Sequence, residues 1–231
     1  MVTVYVCDLA DTLVGDNVIL SSFSKKVFHE LLHQGLQLIQ IMNKRRDNVP
    51  FDPYYFEKLT YLGVNLLPDD TFRQIFQTNH WRGANSISGE GASRRQTQQI
   101  EAQLLALLKT LQVEILLDLP CGDLSWMQFI DLPISNYIGA DIVPELITEN
   151  QKRYGSKKCQ FLTLNLINDP LPRANILLCR DCFVHLSIAD IFLALDNIKS
   201  SHIDYLLTTT FLNCEDNEDI IPLLSLSGIS K

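Results

Sequence analysis

The sequence lacks long apolar runs and extended basic stretches. No segment approaches the roughly 18 consecutive apolar residues that a membrane-spanning helix requires. The apolar start, Met1–Cys7, is short and meets Asp8 without a preceding basic residue, so we expect neither a membrane span nor a secretory signal. The longest basic run is Lys44–Arg46 in a chain of net charge −8, which disfavours nucleic acid as a partner.

The six cysteines follow no spacing that indicates a disulfide framework. Cys179 and Cys182 form a lone CxxC pair, whereas a structural zinc site requires four ligands. We therefore expect no bound metal, reduced thiols and a cytoplasmic location.

An apolar run that ends in an acid and a tight turn lies at residues 114–126. A buried strand is predicted over 114–119, followed by the turn Pro120-Cys121-Gly122-Asp123. A second apolar run, Tyr137–Asp141, begins about one crossover helix later, which is the spacing of a βαβ unit. Because neighbouring parallel strands end at the same sheet edge, we expect Asp118 and Asp141 to flank a ligand site.

Alternating helix and strand patterns surround this unit and predict a doubly wound, mainly parallel α/β sheet. An apolar stripe through Ile100, Leu104 and Leu108 predicts a helix from the capping-box sequence Ser93–Gln96 to about Leu111. Further helices are predicted over 143–154 and 188–198, and further strands over 159–165, 174–179 and 204–211. The Gly and Ser content of residues 68–92 predicts a loop-rich junction.

The first 70 residues are predicted to form a smaller α/β segment, before a second domain over 71–231. Strands are predicted over 2–9 and 36–42, and helices over 24–34 and 53–62. Residues 2–67 resemble the start of a haloacid-dehalogenase-type phosphatase, on the sequences Asp8-Leu9-Ala10-Asp11-Thr12-Leu13, Gly15-Asp16 and Ile41-Met42-Asn43. Ala10 and Met42 replace that family's second acid and its phosphate-binding Ser or Thr, so we expect no phosphatase chemistry.

The turn after Asp118 and the acid Asp141 resemble the first two motifs of class I S-adenosylmethionine-dependent methyltransferases. The resemblance covers residues 79–211 and implies S-adenosyl-L-methionine as cofactor, with Asp141 at the ribose hydroxyls and the turn under the methionine part. Pro120 and Leu124 stand where the commonest family pattern has glycines. The cofactor-binding residues that the resemblance implies are Asp118, Pro120, Cys121, Gly122, Asp123, Asp141, Ile142, Asn165 and Trp81.

The segment after the strand at 174–179 resembles the family's fourth motif, which faces both cofactor and acceptor. It contains the catalytic candidates Arg180, Asp181 and His185. His185 is a candidate general base, because an ordinary histidine pKa lies near neutrality. Arg180 is expected either to bind an acidic acceptor or to pair with an acid in the fold. Upstream, Asn79, Trp81, Ser88 and Gly89 resemble a small-molecule-type branch.

These features predict methyl transfer to an oxygen or nitrogen of a small molecule, such as a sugar or another metabolite. The alternative is a non-catalytic relic that keeps affinity for the cofactor. A dinucleotide-dependent oxidoreductase is disfavoured, because no Gly-x-Gly-x-x-Gly follows the first strand of either segment.

Residues 212–231 are too few for the helix and hairpin that complete the family's sheet, so we expect a shortened C-terminus. Its sheet edge is then either covered by the N-terminal segment or exposed for homo-oligomer formation.

Overall fold

Seven strands form one sheet in the computed structural model, which describes residues 3–8, 37–42, 68–80 and 86–210. The spatial order is β2-β1-β7-β6-β3-β4-β5, and every neighbouring pair is parallel. The strands are β1 (Thr3–Asp8), β2 (Gln37–Met42), β3 (Ile115–Asp118), β4 (Asn136–Asp141), β5 (Cys159–Thr163), β6 (Ala174–Cys179) and β7 (Ile203–Thr210).

The helices of the described ranges connect these strands. They are α1 (Pro68–Thr78), α2 (Arg94–Thr110), α3 (Pro144–Tyr154) and α4 (Ile188–Ser200), with short 3-10 turns at Glu90–Ala92, Met127–Phe129 and Phe183–His185. None of them combines the length and the apolar character that a membrane span requires.

Helices cover both faces of the sheet. Leu116 and Leu117 of β3 are fully buried and point to opposite faces, as successive residues of a strand do. The face of Leu116 packs against α2 and α3, and the face of Leu117 packs against α4. The predicted doubly wound, mainly parallel α/β fold is therefore confirmed.

The order of the strands reverses beside β3. From β3 the chain moves outward to β4 and β5, and it then returns to the other side of β3 as β6. Open α/β sheets bind ligands at the carboxyl ends of the strands where such a reversal occurs. The sheet thus places the candidate residues after β3, β4 and β6 around one crevice.

Strand β1 continues the sheet beyond β7. Residues Thr3–Asp8 pair in parallel with Tyr205–Thr210, and β2 pairs with the other side of β1. Of the two alternatives for the edge of β7, the structure has the first, in which the N-terminal segment covers it. The division into residues 1–70 and 71–231 stays a prediction.

The prediction of a loop-rich junction over 68–92 is wrong for its first part, which is helix α1. Thr71 and Ile75 are buried one helical turn apart, and this spacing gives the helix an inward face. The Gly and Ser residues that suggested loops all lie after residue 82. The loop prediction extends from them to residues 68–78, which have a helical pattern of their own.

The prediction of helix α2 is confirmed, but its capping box is not formed. The Ser93 side chain accepts no capping hydrogen bond, and its backbone carbonyl instead accepts from the N–H groups of Gln96 and Thr97. The predicted helices over 24–34 and 53–62, and the phosphatase-like residues Leu9–Asp16 and Asn43, lie outside the described residues.

The sheet leaves no room for a side chain at Gly139 of β4. A methyl group there would come within 2.6 Å of the Phe161 ring and 3.0 Å of the Tyr137 ring. We expect Gly139→Ala to lower the free energy of unfolding by about 1–3 kcal/mol, as overpacking does. Urea unfolding followed by circular dichroism measures this, with Thr163→Ala at an exposed position of β5 as the control. An unchanged urea midpoint for Gly139→Ala would contradict the packing described.

Candidate functional site

Asp118 ends β3 as a buried carboxyl group. Its Oδ2 accepts a hydrogen bond of 2.6 Å from the hydroxyl of Tyr137 on the neighbouring strand β4. Burial raises the pKa of Asp118 to about 7, although the Tyr137 hydrogen bond and the charge of Arg180 act in the opposite direction. Asp118 is therefore a group whose charge is poorly solvated by the protein alone.

Asp141 ends β4 and is also buried. Its Oδ1 accepts from Val143 N–H at 3.1 Å and its Oδ2 from Gly122 N–H at 3.3 Å. Burial raises the pKa of Asp141 to about 6, while the N–H groups of Val143, Gly122 and Ile142 act to lower it. At neutral pH this side chain is largely a carboxylate, held between the turn after β3 and the start of α3.

The turn after β3 is fixed by its neighbours. The backbone N–H of Leu119 donates to Leu178 O at 2.9 Å, and that of Cys121 donates to Ala140 O at 2.8 Å. The Leu119–Pro120 peptide is cis, and Gly122 has a left-handed φ of 56° that suits a glycine. The predicted turn residues Pro120, Cys121 and Gly122 thus lie at the ends of the two acid-bearing strands.

Asn150 of α3 holds the same turn from the side and was missed in the sequence. It is buried, and its Nδ2 donates to Gly122 O at 2.7 Å. The available signal was a polar residue on the apolar helix face that also carries Leu146 and Ile147. Tyr137 and Thr209 are likewise site residues that were not candidates. Ser86 begins the Ser-x-Ser-Gly-x-Gly sequence of residues 86–91 but was not singled out within it.

The carboxylate of Asp123 is engaged within the protein. It accepts from Ser86 Oγ at 2.9 Å, from Ile87 N–H at 2.9 Å and from Ser125 N–H at 3.1 Å. Asp123 was expected to bind the cofactor, but these contacts hold residues Ser86–Ala92, which we name the bridging segment, against the turn.

The other end of the bridging segment meets the residue after β6. Arg180 Nη2 donates to Gly91 O at 2.8 Å and lies 3.0 Å from Asp181 Oδ2. The guanidinium lies 5.7 Å from the centre of the Trp126 ring and its side chain is only 9% exposed. Of the two expectations for Arg180, the structure has the ion pair within the fold. The bridging segment therefore crosses the crevice from the β3 turn to the β6 turn.

Asp181 and His185 lie at the β6 side of the crevice. Asp181 has a φ of 51°, and its N–H donates to Thr209 Oγ1 at 2.9 Å. The His185 ring meets Phe72 of α1 edge-on, with ring centres 6.2 Å apart.

Helix α1 also reaches the β4 side, where Arg73 pairs with Glu145 at the start of α3. Helix α1 thus borders both sides of the crevice.

The expected near-neutral pKa of His185 does not hold. Burial lowers this pKa to about 4, and the nearby charge of Asp181 offsets only part of the effect. His185 is therefore neutral at pH 7, able to accept a hydrogen bond but weak as a base. Its catalytic role, and those of Asp181 and Arg180, stay predictions.

Asn165 follows β5 at the same edge of the sheet. Its Oδ1 accepts from Ile167 N–H at 2.9 Å, and its own N–H donates to Asp169 Oδ2 at 2.7 Å. Its expected place at the adenine stays a prediction. Trp81 lies outside the described residues.

The thiols of Cys121, Cys159, Cys179 and Cys182 are free, and the described residues contain no group of three metal-ligating side chains. Burial raises the pKa of the Cys121 and Cys179 thiols well above the ordinary value. Both therefore stay protonated at neutral pH and lack the character of a nucleophile.

No protein-family model and no curated protein sequence matches the chain. Among solved structures, it is similar to the N-methyltransferase NodS from Bradyrhizobium japonicum WM9 in complex with S-adenosyl-L-homocysteine. That match has 12% identity and a TM-score of 0.44, and it covers 54% of this chain and 65% of NodS.

Two further solved structures are similar at 16% identity. The match to the PH0226 protein from Pyrococcus horikoshii OT3 has a TM-score of 0.40 and covers 51% of this chain and 59% of that one. The match to human N-acetylserotonin methyltransferase in complex with S-adenosylmethionine has a TM-score of 0.33 and covers 55% and 40%. The chain thus spans less than two thirds of each structure's length, and at such low similarity its chemistry rests on its own residues.

The burial of Asp118 predicts a pH-dependent stability. Its pKa rises from the ordinary value of 3.8 to about 7 on folding, so between these values the folded chain binds more protons than the unfolded one. The free energy of unfolding contributed by this group therefore falls as pH rises from about 4 to about 7. We expect Asp118→Asn to be more stable than the wild type by about 1–3 kcal/mol at pH 8 and to match it near pH 4.

Urea unfolding at several pH values between these limits measures the difference. Asp131→Asn, at an exposed position, is the matched control and should follow the wild type throughout. A stability difference for Asp118→Asn that does not change with pH would contradict the assigned shift.

Proposed function

We propose that the chain binds S-adenosyl-L-methionine at the carboxyl ends of β3 and β4 and transfers its methyl group to a small molecule. The observation that carries this proposal is the Asp141 carboxylate, which is buried, hydrogen-bonded to Gly122 N–H and placed beside the reversal of strand order. The ligand site of open α/β sheets lies at this place.

Asp141 fits a ribose with two free hydroxyl groups. A carboxylate offers two acceptor oxygens, and two adjacent hydroxyls offer two donors. Burial raises the pKa of Asp141 to about 6, so the charged form is short of stabilising donors. Ribose hydroxyls would supply them without displacing the Gly122 and Val143 N–H groups that orient the carboxylate.

The β6 side of the crevice would receive the acceptor. When bound, the cofactor supplies a methyl group on a positively charged sulfur, which is already a strong electrophile. The protein then contributes chiefly the relative position of the two reactants, an effect that accounts for a large part of such rates. Phe72 and His185 meet at this side, and Arg180 and Asp181 hold the adjoining turn.

The low basicity of His185 favours one chemical class of methyl acceptor over another. A base with a pKa of about 4 removes the proton of an aliphatic hydroxyl poorly, since proton transfer is efficient when the two pKa values are close. A neutral amine nitrogen needs no prior loss of a proton to attack the methyl group. We therefore favour a nitrogen acceptor over an aliphatic hydroxyl, with neutral His185 accepting a hydrogen bond from it.

Calorimetric titration with S-adenosylmethionine and S-adenosylhomocysteine tests the cofactor site. We expect micromolar binding by the wild type, and Asp141→Ala should weaken it about tenfold or more, a loss of ~1.4 kcal/mol or greater. Asp131→Ala, at an exposed acidic position, is the control and should bind like the wild type. Absence of binding by the folded wild type would falsify the proposed function.

Turnover separates an enzyme from a protein that only binds the cofactor. Formation of S-adenosylhomocysteine is measured with panels of small amines and small hydroxyl compounds. We expect amines to react. His185→Leu, which removes the hydrogen-bond acceptor, should lower kcat about tenfold, whereas His185→Gln, which keeps an acceptor oxygen, should lower it less. The affinity for S-adenosylmethionine should stay unchanged in both variants.

The pH profile of kcat provides a second readout. Because His185, with a pKa of about 4, does not titrate between pH 6 and 8, His185→Leu should lower kcat by the same factor throughout this range. Tight cofactor binding without turnover of any acceptor would favour the non-catalytic alternative. The described residues give that alternative one argument, because Arg180 and Asp181 are already paired with each other.

A further inference from the structure

Ser88 of the bridging segment lies directly over Gly122. A methyl group added to Gly122 would collide with Ser88 Oγ and come within 3.3 Å of Ser88 Cβ. The missing side chain at position 122 therefore makes room for a hydroxyl group of the protein itself. Ser88 Oγ therefore lies against the same glycine whose N–H donates to Asp141.

The backbone around Ser88 is held without the use of its own hydroxyl group. Ser88 N–H donates to Ser86 Oγ at 3.0 Å, and Ser86 Oγ donates to Asp123 Oδ1 at 2.9 Å. Ile87 N–H donates to the other oxygen of Asp123, and Gly89 closes the turn with a φ of 84°. Among the described residues, no hydrogen bond uses Ser88 Oγ, so this hydroxyl is positioned but uncommitted.

The direction of the bridging segment indicates which part of the cofactor would meet this hydroxyl. If the adenine lies near Asn165 after β5 and the ribose at Asp141 after β4, the strand order leaves the turn after β3 for the methionine part. The bridging segment crosses the crevice along the same line, from Asp123 to Arg180. Ser88 lies at the β3 turn on this path, beyond the ribose position.

We propose that Ser88 Oγ donates a hydrogen bond to the methionine carboxylate of the cofactor, and that Asp123 is the positioning residue that holds Ser88 in place. This inference rests on the proposed function and adds a cofactor ligand to it. It also changes the role of Asp123, whose carboxylate oxygens already accept three hydrogen bonds from the protein.

The test compares two ligands that differ only at the methionine end. S-adenosylhomocysteine carries the amino-acid carboxylate and ammonium groups, whereas 5′-methylthioadenosine keeps the adenine, ribose and thioether but lacks both. We expect Ser88→Ala to weaken S-adenosylhomocysteine binding about tenfold, as the loss of a hydrogen bond to a charged group does. The affinity for 5′-methylthioadenosine should change less than about twofold, because no contact to it is lost.

Asp141→Ala is the complementary variant and should weaken both ligands, since both carry the ribose. Asp123→Ala should resemble Ser88→Ala in its ligand selectivity, and its effect should shrink in a Ser88→Ala background because both changes act on one contact. Urea unfolding of each variant confirms that the comparison is made on folded protein.

The outcomes separate the inference about Ser88 from the proposed function. Wild-type binding of S-adenosylhomocysteine with no change in Ser88→Ala would overturn the inference and leave the proposed function standing. An equal loss for both ligands would also overturn it, because Ser88 would then act on the pocket as a whole. If the folded wild type binds neither ligand, the proposed function fails and the inference fails with it.

Discussion

The hydrogen bond from Gly122 N–H to the Asp141 carboxylate joins the ends of two neighbouring strands, and the candidate site depends on it. It requires a carboxylate buried at the end of β4 and a turn after β3 that aims an N–H group at it. Asn150 holds the opposite side of that turn through the Gly122 carbonyl. Gly122 thus donates to the end of β4 and accepts from helix α3. These two hydrogen bonds fix the turn that forms the floor of the crevice.

The bridging segment forms the opposite wall, and partly buried charged side chains hold it at both ends. Asp123 binds its start and Arg180 binds the carbonyl of Gly91 near its end. Charged groups are costly to bury unless they are hydrogen-bonded, and here Asp123 accepts from backbone N–H groups while Arg180 donates to the Gly91 carbonyl. Asp123, a cofactor-binding candidate, and Arg180, a catalytic candidate, thus both support the chain that surrounds the crevice.

Sequence patterns predicted the strands and most helices because local periodicity reports burial, as in β3 and α2. They also predicted that Asp118 and Asp141 lie together, since parallel strands end at one edge. The contacts of Asp123 with Ser86 and Ile87 join distant parts of the chain, and no local pattern reports them. The low pKa of His185 results from its burial in the folded protein. Burial depends on tertiary structure, so the residue type alone does not predict this pKa.

The pairing of β1 with β7 has a consequence for the order in which the chain assembles. Of the described strands, β1 is synthesised first and its partner β2 second, but its other neighbour, β7, is the last. One edge of β1 therefore stays open until nearly all of the described chain has been made. Contacts of such long sequence separation form slowly, and an open parallel edge can pair with other chains meanwhile. Newly made protein is thus most exposed to misassociation at the edge that the finished sheet conceals.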